Sequence, residues 1–575
     1  MQDANTKIFS EKMTTWRLLM LYWRSNEKNV ALMFLSAVSL MTIILVVMDV
    51  LFNNWYNLFY DALQSYNMRA AYDLIAVFAG LATINIILAV YRYYLQNFLG
   101  LRWRRWLTDG IISRWLSKRS YYLLEEIGDQ TDNPDQRIQE DINSFVNMTL
   151  LLLIGILGSV VTFFTFIYIL WSLSGVLKIP LGHFGTIQIH GYLVWVVVIY
   201  TIIGTIITLK IGRPLTELNF QQQRKEANFR FAAIDLRVHA EHVALYRGEE
   251  QQRSSLLKMF MRVFDNWYQI ILRQKKLLWF TAGFNQTSVM LPLLVVMPNY
   301  FSKVFRLGGF MQALRAFGLV QDSLAFIVNS YTTIAEWRAV VRRLTTFINH
   351  MNELGQDTTT RNHFKYHEIS EDKIIAKHVN LKTPHGEIML KDINEELIHG
   401  HHYWIRGDSG LGKSTFVRSL AGIWPYGDGE FFLPKDKNIM YIPQRSYMPL
   451  GTLQEALLFP DEVFPVSREE LIQLLRDCDL PRLLDELDHT IIWSEHLSPG
   501  ELQRIAFVRV LLHKPDWVFL DESTSALDLS HEKHLYDLLH ERLPNCSLVS
   551  VGHRPSLEAY HDRVINLAEY TPVNA

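Results

Sequence analysis

The sequence has little cysteine and no large surplus of charge of either sign. Only two cysteines, Cys478 and Cys546, occur in 575 residues, and neither lies in a cluster with metal-ligand spacing. This argues against a disulfide framework and fits a reducing cytoplasm. Charged residues make up 20% of the chain, and the formal net charge is −2. Because nucleic-acid-binding proteins carry a basic surplus, we expect no nucleic-acid partner.

Hydrophobic residues make up 49% of the sequence and are unevenly distributed. A chain of this length is too long for a single core, so two or more domains are expected. Long apolar runs occupy the first part, whereas the remainder has the composition of a soluble α/β domain.

A glycine-rich loop lies between a predicted strand, 402–405, and a predicted helix, 416–421. Glycines let successive backbone N–H groups converge on one point, and the helix N-terminus adds its positive dipole end, so such a loop binds phosphate. We expect Lys413 to reach the terminal phosphates of ATP and the Ser414 hydroxyl to ligate Mg²⁺. The predicted ATP-binding residues are Gly407, Asp408, Ser409, Gly410, Leu411, Gly412, Lys413, Ser414 and Thr415 of the loop, together with Gln444 further along the chain.

Five further elements follow in a fixed order. They are Gln444 after a strand at 439–442, a helix start at Leu497–Glu501, Asp521-Glu522 at the end of an apolar strand, Ser525–Asp528, and His553 after a strand at 547–551. Each alone has an ordinary alternative, such as a loop amide for Gln444 or a core imidazole for His553. In this order and spacing they resemble the nucleotide-binding domain of an ABC ATPase.

The chemistry of phosphoryl transfer suggests a role for each polar side chain. The reaction needs charge neutralisation and an aligned water more than covalent catalysis. Glu522 is placed to polarise the attacking water as general base. His553 would contact the γ-phosphate. The predicted catalytic residues are Glu522, His553 and Lys413, and the predicted Mg²⁺ ligands are Ser414, Gln444 and Asp521.

The signature segment departs from the commonest ABC pattern. Pro499 stands where glycine is usual, and Glu501 where many members have glutamine. Proline is tolerated in a first helical turn, and glutamate is favourable there, so we expect the site to function. Ser498 and the Gly500 amide suit an anion. The resemblance implies that this anion is the γ-phosphate bound by the opposite subunit and, since the chain has one such domain, that it forms a homodimer.

A second departure concerns the nucleotide base. Many ABC ATPases stack an upstream aromatic residue on adenine, but the corresponding stretch, 381–386, contains no Tyr or Phe. The base would then be held weakly, or by a ring from elsewhere such as His385.

The apolar runs predict membrane spans, which need roughly 20 apolar residues each. Five segments qualify: Val30–Leu51, Leu74–Leu95, Met148–Leu173, Tyr192–Leu209 and Leu277–Met297. Phe310–Tyr331 is a weaker sixth candidate because Arg315 and Asp322 interrupt it, and a buried soluble helix is the alternative. Six spans would return the chain to the side where it began.

Basic residues are concentrated in two of the segments between these spans. The segment between the second and third spans and the one between the fourth and fifth are rich in Arg and Lys, whereas 53–73 has only Arg69 and 174–191 only Lys178. Basic loops stay cytoplasmic. We therefore expect both termini and the ATPase domain inside, in a multi-pass membrane protein, and helical extensions of the spans into the cytoplasm. The family resemblance described below implies that this membrane is the bacterial inner membrane.

The predicted organisation is an N-terminal cytoplasmic segment at 1–29, a six-helix transmembrane domain at 30–345, a linker at 346–372 and a nucleotide-binding domain at 373–575. The expected fold is an α-helical membrane domain of the type IV exporter-like kind, followed by an α/β P-loop ABC ATPase domain.

Several motifs resemble one branch of the family. They are Trp55–Gln64, Leu101–Thr108, Asp132–Ile142, Glu241–Glu249, Leu307-Gly308 and Met311-Gln312 in the membrane half, and Ala421–Pro425, Ile442–Tyr447 and Trp493 in the ATPase half. They are similar to the SbmA/BacA-type membrane domain and to the bacterial fused relatives of class D ABC transporters. The resemblance implies ATP-driven transport, with membrane lipid and a transported small molecule or peptide as partners.

The substrate and the direction of transport stay open. Relatives of the membrane domain take up peptides, modified antibiotics or cobalamin, and class D transporters import acyl-coenzyme A, so uptake of a bulky hydrophilic molecule is favoured. The alternatives are an acyl-CoA or lipid transporter, an exporter and, least compatible with the apolar runs, a non-transporting ABC ATPase. Asn85, Asn285 and Gln286 are candidates for lining a substrate cavity, because polar groups in spans are costly; hydrogen bonding to neighbouring helices is the alternative.

Overall fold

The computed structural model describes residues 11–127, 133–180, 186–301, 303, 305–357, 363–461 and 466–572. The chain divides into two units. The first contains the described residues of Met1–Trp115 and Gln130–His350, and the second those of Leu116–Asp129 and Met351–Ala575.

The first unit is built from long helices. They run over Thr15–Leu21, Lys28–Gln64, Met68–Leu116, Pro134–Gln136 continuing through a wider turn at Arg137–Asp141 into Ile142–Ser174, Tyr192–Val238, Ala240–Tyr246, Glu249–Phe301, Leu307–Asn329 and Tyr331–Asp357. Strands β1 (Val176–Pro180) and β2 (Thr186–His190) pair antiparallel between two of these helices.

Five of these helices are long and apolar enough to cross a membrane, judged by length and composition. Each of the first five predicted spans lies inside one of them. Met68–Leu116 has 49 residues, Tyr192–Val238 has 47 and Glu249–Phe301 has 53. At about 1.5 Å per residue each is far longer than a hydrocarbon layer of roughly 30 Å. The helices therefore continue beyond the membrane, as the basic segments predict.

The weaker sixth candidate is a helix at Leu307–Asn329, and it is not among those five. Its buried face carries Ala313, Ala316, Phe317 and Val320, each at most 1% exposed. Arg315, which interrupts its apolar run, lies 3.3 Å from a carboxylate oxygen of Asp49 on the Lys28–Gln64 helix. The helix is less hydrophobic because it packs among other helices, where the charge of Arg315 is paired.

Two of the motifs that carry the subfamily resemblance lie against each other. The Gln312 side chain accepts from Asn57 Nδ2 at 2.6 Å and donates to Asn54 Oδ1 at 3.0 Å, and Gly308 N donates to Asp61 Oδ1 at 2.8 Å. A Cβ at Gly308 would lie 2.0 Å from the Asn57 carbonyl oxygen, so only glycine fits there. Residues about 250 positions apart thus form one interhelical contact.

The second unit holds the remaining strands: β3 (His363–Ile369), β4 (Lys373–Lys382), β5 (Ile388–Ile398), β6 (Tyr403–Arg406), β7 (Gly427–Pro434), β8 (Ile439–Ile442), β9 (Gly451–Thr452), β10 (Thr490–Ile491), β11 (Trp517–Asp521), β12 (Ser547–Val551) and β13 (Arg563–Asn566). Its α-helices are Ser120–Ile127, Lys413–Leu420, Leu453–Leu458, Arg468–Asp477, Trp493–His496, Pro499–His513 and Leu529–Arg542, and 3₁₀ segments lie at Pro481–Glu486, Pro555–Tyr560 and Leu567–Tyr570.

Two sheets organise this unit. One is a parallel sheet in the order β13-β6-β12-β11-β8. The other has the order β3-β7-β4-β5. A core between them includes Phe416, Phe431, Trp517 and Phe519, all at most 1% exposed. The expected class, a helical membrane domain joined to an α/β ATPase domain, is confirmed.

The described parts of the predicted linker region, 346–357 and 363–372, are mostly secondary structure. The Tyr331–Asp357 helix runs through its first part, and β3 pairs with β7 in its second, so the sheet of the ATPase unit begins before residue 373. The Tyr331–Asp357 helix continues from the membrane half into this region, and its amphipathic sequence pattern does not change where the domains meet. The sequence therefore gives no signal for the position of the domain boundary.

Part of the segment between the second and third spans belongs to the ATPase unit. Arg119, directly before the Ser120–Ile127 helix, donates from Nη1 to the Ala421 carbonyl at 2.8 Å. Ala421 caps the C-terminus of the Lys413–Leu420 helix. This contact connects the segment to the helix that starts at the phosphate loop. Asp132, in one predicted subfamily motif, lies outside the described residues.

Candidate functional site: an ATP site at one sheet edge

The predicted polar residues come together at the carboxyl ends of neighbouring parallel strands. The phosphate loop follows β6, His553 follows β12, Asp521 ends β11 and Gln444 follows β8. In open parallel sheets the crevice beyond the carboxyl ends of the strands is where ligands bind. Strand order therefore explains why residues 140 positions apart in the chain, Lys413 and His553, are in contact.

The loop geometry depends on its glycines. Gly410 has φ +79° and Gly412 has φ +106°, which side chains rarely adopt. Gly412 caps the N-terminus of the Lys413–Leu420 helix, and a Cβ there would lie 3.2 Å from Met389 Cε. The helix N-terminus faces the loop, so its unpaired N–H groups are available to an anion.

Lys413 is buried, with only 5% of its surface exposed. Its Nζ lies 2.9 Å from the carbonyl oxygens of Gly407 and Asp408 and 2.9 Å from His553 Nε2. Burial lowers the pKa of Lys413, while the nearby carboxylates of Glu522, Asp521 and Asp408 act in the opposite direction. The amine is thus held at the mouth of the loop, where a phosphate charge would be neutralised.

The predicted metal ligands form an oxygen-rich group. Ser414 Oγ donates to Asp521 Oδ1 at 2.8 Å. Burial raises the pKa of Asp521, opposed by that hydrogen bond. Gln444 Nε2 donates to Glu522 Oε2 at 2.8 Å, which places the amide beside the two carboxylates. Hydroxyl, carboxylate and amide oxygens are the ligand types that Mg²⁺ accepts, so the residues present fit that ion.

Glu522 lies at the centre of the group. Its carboxylate contacts Gln444 and lies 3.3 Å from His553 Nε2. Its backbone has φ +47°, an unusual conformation for a residue with a side chain, and its N–H donates to the Val551 carbonyl at 2.9 Å. Strained backbone of this kind is frequent at functional sites. Here it turns the chain sharply after β11, so that Asp521 and Glu522 face the same crevice.

Two residues that support this turn were not among the predicted site residues. The buried Gln503 donates from Nε2 to the Glu522 carbonyl at 3.3 Å and accepts from Ala526 N at 2.9 Å. Arg554 donates to the carbonyls of Ser525 and Leu527 at 2.8 and 2.7 Å. Gln503 could have been found in the sequence only as a polar residue on the apolar face of a helix, because such a residue needs a buried hydrogen-bond partner.

The signature residues form a helix start. Ser498 is the N-cap of the Pro499–His513 helix, and its side chain and that of Glu501 make a reciprocal capping box. Pro499 occupies the first turn, where its missing N–H costs nothing. Burial would raise the pKa of Glu501, but hydrogen bonds from Ser498 and Arg482 lower it overall. Both departures from the usual pattern therefore stabilise the helix start.

Within the described ranges no hydrogen bond joins residues 498–501 to the phosphate loop of the same chain; the side-chain bonds of Ser498 go to Glu501. His385, the alternative adenine partner, is exposed in the turn between β4 and β5.

Of the three substrate-cavity candidates in the first unit, Asn85 is half-buried, and Asn285 and Gln286 are exposed on the Glu249–Phe301 helix. None of them lines the cavity among the Lys28–Gln64, Met68–Leu116, Ile142–Ser174 and Leu307–Asn329 helices.

Comparison with known families agrees with this arrangement. The family description "ABC transporter transmembrane region 2" matches residues 18–301, and "ABC transporter" matches residues 390–525. An ABC transporter ATP-binding protein of Haemophilus influenzae is 34% identical over 93% of this chain and 89% of its own length. The chain belongs to the ABC transporter family, as a half-transporter whose membrane domain is fused to its ATPase domain. The presence of the ABC ATPase domain agrees with an ATP-hydrolysing transporter.

Other relatives place it within that family. The Escherichia coli inner membrane ABC transporter ATP-binding protein YddA is 31% identical over 96% of both chains. The mouse lysosomal cobalamin transporter ABCD4 is 25% identical over 88% of this chain and 87% of its own. A bacterial Atm1-family ABC exporter solved with ATP bound has a TM-score of 0.72 at 17% identity, covering 94% of both chains, which shows a shared fold.

Proposed function

We propose that this protein is an ATP-driven transporter of the SbmA/BacA-like branch, acting as a homodimer, that imports a bulky hydrophilic molecule. The observation that carries the proposal is the convergence of Lys413, Asp521, Glu522 and His553 at one sheet edge. The described residues of the same chain also include five helices long and apolar enough to span a membrane. An ATPase site fused to membrane spans is the arrangement expected when ATP energy drives transport.

In the proposed reaction the loop amides and Lys413 hold the phosphates of ATP, and the γ-phosphorus is the electrophile. The water oxygen bonds to it while its bond to the β,γ-bridging oxygen breaks, so that ADP leaves. Glu522 takes a proton from the attacking water, and its orientation is fixed by the hydrogen bond from Gln444. His553 lies between Lys413 and Glu522, in reach of the transferred phosphoryl group. Gln503 and Arg554 keep the strained turn at Glu522 in place. Preorganised side chains of this kind lower the barrier without moving during the reaction.

Mg²⁺ is the second proposed cofactor. Ser414, Asp521 and Gln444 would hold it, and it would supply charge neutralisation for the phosphates. Among the described residues no group of three or more His, Cys, Asp or Glu side chains could hold a metal ion. That is compatible with this site, because one carboxylate, one hydroxyl, one amide and the phosphates themselves would supply the ligands.

The contact at Arg119 supports coupling between ATP binding and transport. Arg119 holds the carbonyl that ends the phosphate-loop helix, and Tyr366 donates to the neighbouring Ser419 carbonyl at 2.6 Å. A change in the loop on binding ATP would move this helix end. The segment that holds Arg119 continues into the membrane spans on both sides, so it would transmit that movement.

The distribution of Arg and Lys supports an orientation with both termini and the ATPase domain in the cytoplasm. A bacterial inner-membrane location is proposed on the same basis and on the similarity to the E. coli inner membrane relative. In this orientation ATP reaches the site directly from the cytoplasm.

The substrate class is proposed from relatives of the membrane domain, one of which is a lysosomal cobalamin transporter. Deleting the gene should reduce uptake of labelled cobalamin or of a labelled proline-rich peptide, measured in intact cells. Complementation with wild-type protein should restore uptake, and complementation with the Glu522→Gln variant should not. Unchanged uptake of both compounds in the deletion strain would contradict this import role and favour an acyl-CoA, lipid or export function.

A further inference from the structure

A network of charged side chains surrounds the start of the Pro499–His513 helix. Arg482, which lies in a 3₁₀ segment, donates from Nε and Nη2 to Glu501 Oε1 at 3.1 and 3.0 Å. Its Nη1 lies 3.3 Å from His496 Nε2 and 3.7 Å from Glu486 Oε1. The shortest of these contacts join Arg482 to Glu501, so the guanidinium is held mainly against that carboxylate.

The second oxygen of the Glu501 carboxylate caps the helix. Ser498 N and Ser498 Oγ both donate to Glu501 Oε2 at 2.9 Å, and Glu501 N donates to Ser498 Oγ at 3.3 Å. Burial opposes ionisation of Glu501, but these bonds and those from Arg482 lower its pKa overall, so the side chain is an anion at neutral pH. Arg482 therefore holds one oxygen of a carboxylate whose other oxygen holds the Ser498 hydroxyl.

The negative charge of Glu501 lies close to the place proposed for a phosphate. In the proposed composite site, the Ser498 hydroxyl and the Gly500 N–H face the γ-phosphate held by the partner subunit. An uncompensated carboxylate in contact with Ser498 would repel that phosphate. A glutamine would complete the same capping box without a charge. A signature segment that contains glutamate therefore needs a cation beside it, and Arg482 supplies one.

We propose that Arg482 is a positioning residue for the composite ATP site: it neutralises Glu501 and holds the carboxylate so that the Ser498 hydroxyl can turn to the γ-phosphate. The inference rests on the proposed function, in which the signature segment of one chain contacts the nucleotide of the other. With Arg482 bound to Oε1, Oε2 keeps its bond from Ser498 N while the hydroxyl donates to phosphate. Arg482 thus acts through Glu501 and not by contact with the nucleotide.

The exposure of Arg482 predicts a larger effect on hydrolysis than on stability. Its side chain is 48% exposed, and an ion pair this exposed contributes little to the free energy of unfolding. Closure of two subunits over the nucleotide would remove water from the signature segment, and charges interact more strongly where water is excluded. The pair of Arg482 with Glu501 should therefore matter most in the closed, ATP-bound dimer.

The test is a double-mutant cycle, measured as kcat/KM for ATP hydrolysis by the full-length protein in lipid nanodiscs. Arg482→Gln should lower kcat/KM about tenfold or more, because the Glu501 charge then faces the phosphate without a counter-ion. In a Glu501→Gln background the same change at Arg482 should alter kcat/KM by less than about twofold, because no charge remains to be neutralised. Arg482→Lys, which keeps the positive charge, should recover most of the loss.

Arg468→Gln is the matched control. The side chain of Arg468 is 47% exposed and pairs through Nη1 and Nη2 with Asp488, outside the signature segment. Its loss should leave kcat/KM at the wild-type value, and both arginine-to-glutamine variants should keep the melting temperature of the wild type. Raising the salt concentration should reduce the defect of Arg482→Gln, because salt screens the repulsion between Glu501 and phosphate. A purely structural role of Arg482 would not produce this salt dependence.

Four results would overturn the inference. They are an unchanged kcat/KM in Arg482→Gln, an equal loss in the Glu501→Gln background, an equal loss in Arg468→Gln, and a melting temperature of Arg482→Gln well below that of Arg468→Gln.

Ser498→Ala, measured in the same series, separates failure of this inference from failure of the proposed function. If Ser498→Ala lowers hydrolysis and Arg482→Gln does not, the composite site stands and the role of Arg482 fails. If neither variant lowers hydrolysis, the proposed contact of the signature segment with phosphate fails together with the inference. If wild-type protein in nanodiscs hydrolyses no ATP, the proposed function itself fails.

Discussion

Glu522→Gln should nearly abolish ATP turnover while leaving ATP binding intact, with a loss of about 10²–10⁴-fold in the rate. The amide has the shape of the carboxylate and the same strained backbone at φ +47°, so the crevice should keep its form. It cannot accept a proton from water, so the general base is lost; the substitution also removes a negative charge near Lys413. ATP hydrolysis and the dissociation constant for ATP are measured on purified protein in lipid.

Glu541→Gln is the matched control, since Glu541 is exposed on the Leu529–Arg542 helix away from the crevice. It should hydrolyse ATP at the wild-type rate. Near-normal turnover by the Glu522→Gln variant would remove this residue from the role of general base.

The second large effect is expected at the phosphate loop. Lys413→Ala should weaken ATP binding itself by about 10- to 100-fold, because a charge-assisted phosphate contact is lost. The buried Nζ is held 2.9 Å from two loop carbonyls, so its removal should also loosen the loop. Lys413→Met keeps most of the apolar stem and separates these two effects. Calorimetric titration with ATP gives the dissociation constants.

Lys533→Ala, at an exposed lysine of the same domain, controls for loss of a positive charge in general. It should bind ATP as tightly as the wild type. A dissociation constant unchanged in both Lys413 variants would contradict the assignment of residues 407–415 as the phosphate loop.

Much of this site could be predicted because it depends on short-range patterns. The predicted strands at 439–442 and 547–551 have the observed bounds, and polar residues that follow parallel strands meet at one edge of a sheet. The capping box between Ser498 and Glu501 is also encoded locally, by a serine followed three residues later by glutamate. Local spacing therefore predicted the elements that carry Gln444, Ser498 and His553.

Other features depend on packing between distant segments. The contact of Arg119 with Ala421 and the hydrogen bonds of Gln312 with Asn54 and Asn57 follow from how helices pack, which no local pattern encodes. The backbone conformation at Glu522 is likewise imposed by its surroundings, since glutamate does not favour it. The sequence alone does not decide whether the sixth apolar run is a membrane span, because Arg315 interrupts it. The structure shows that Arg315 is paired with Asp49 on another helix, and that pairing cannot be read from the sequence.

The central claim is that two copies of this chain form two composite ATP sites. Ser498 and Gly500 are proposed to contact the γ-phosphate held by the partner subunit. A Cβ at Gly500 would lie 3.4 Å from the Ala526 carbonyl oxygen, an ordinary contact, so Gly500→Asp should fold. The added carboxylate would repel phosphate in one composite site of a mixed dimer.

The most direct test is the ATPase rate of differently tagged, purified dimers in lipid that contain one wild-type chain and one Gly500→Asp chain. Because opening and closing involve both subunits, the mixed dimer should hydrolyse ATP well below the wild-type rate although one composite site is intact. Full activity of the mixed dimer, or steady hydrolysis by a demonstrated monomer, would contradict the account.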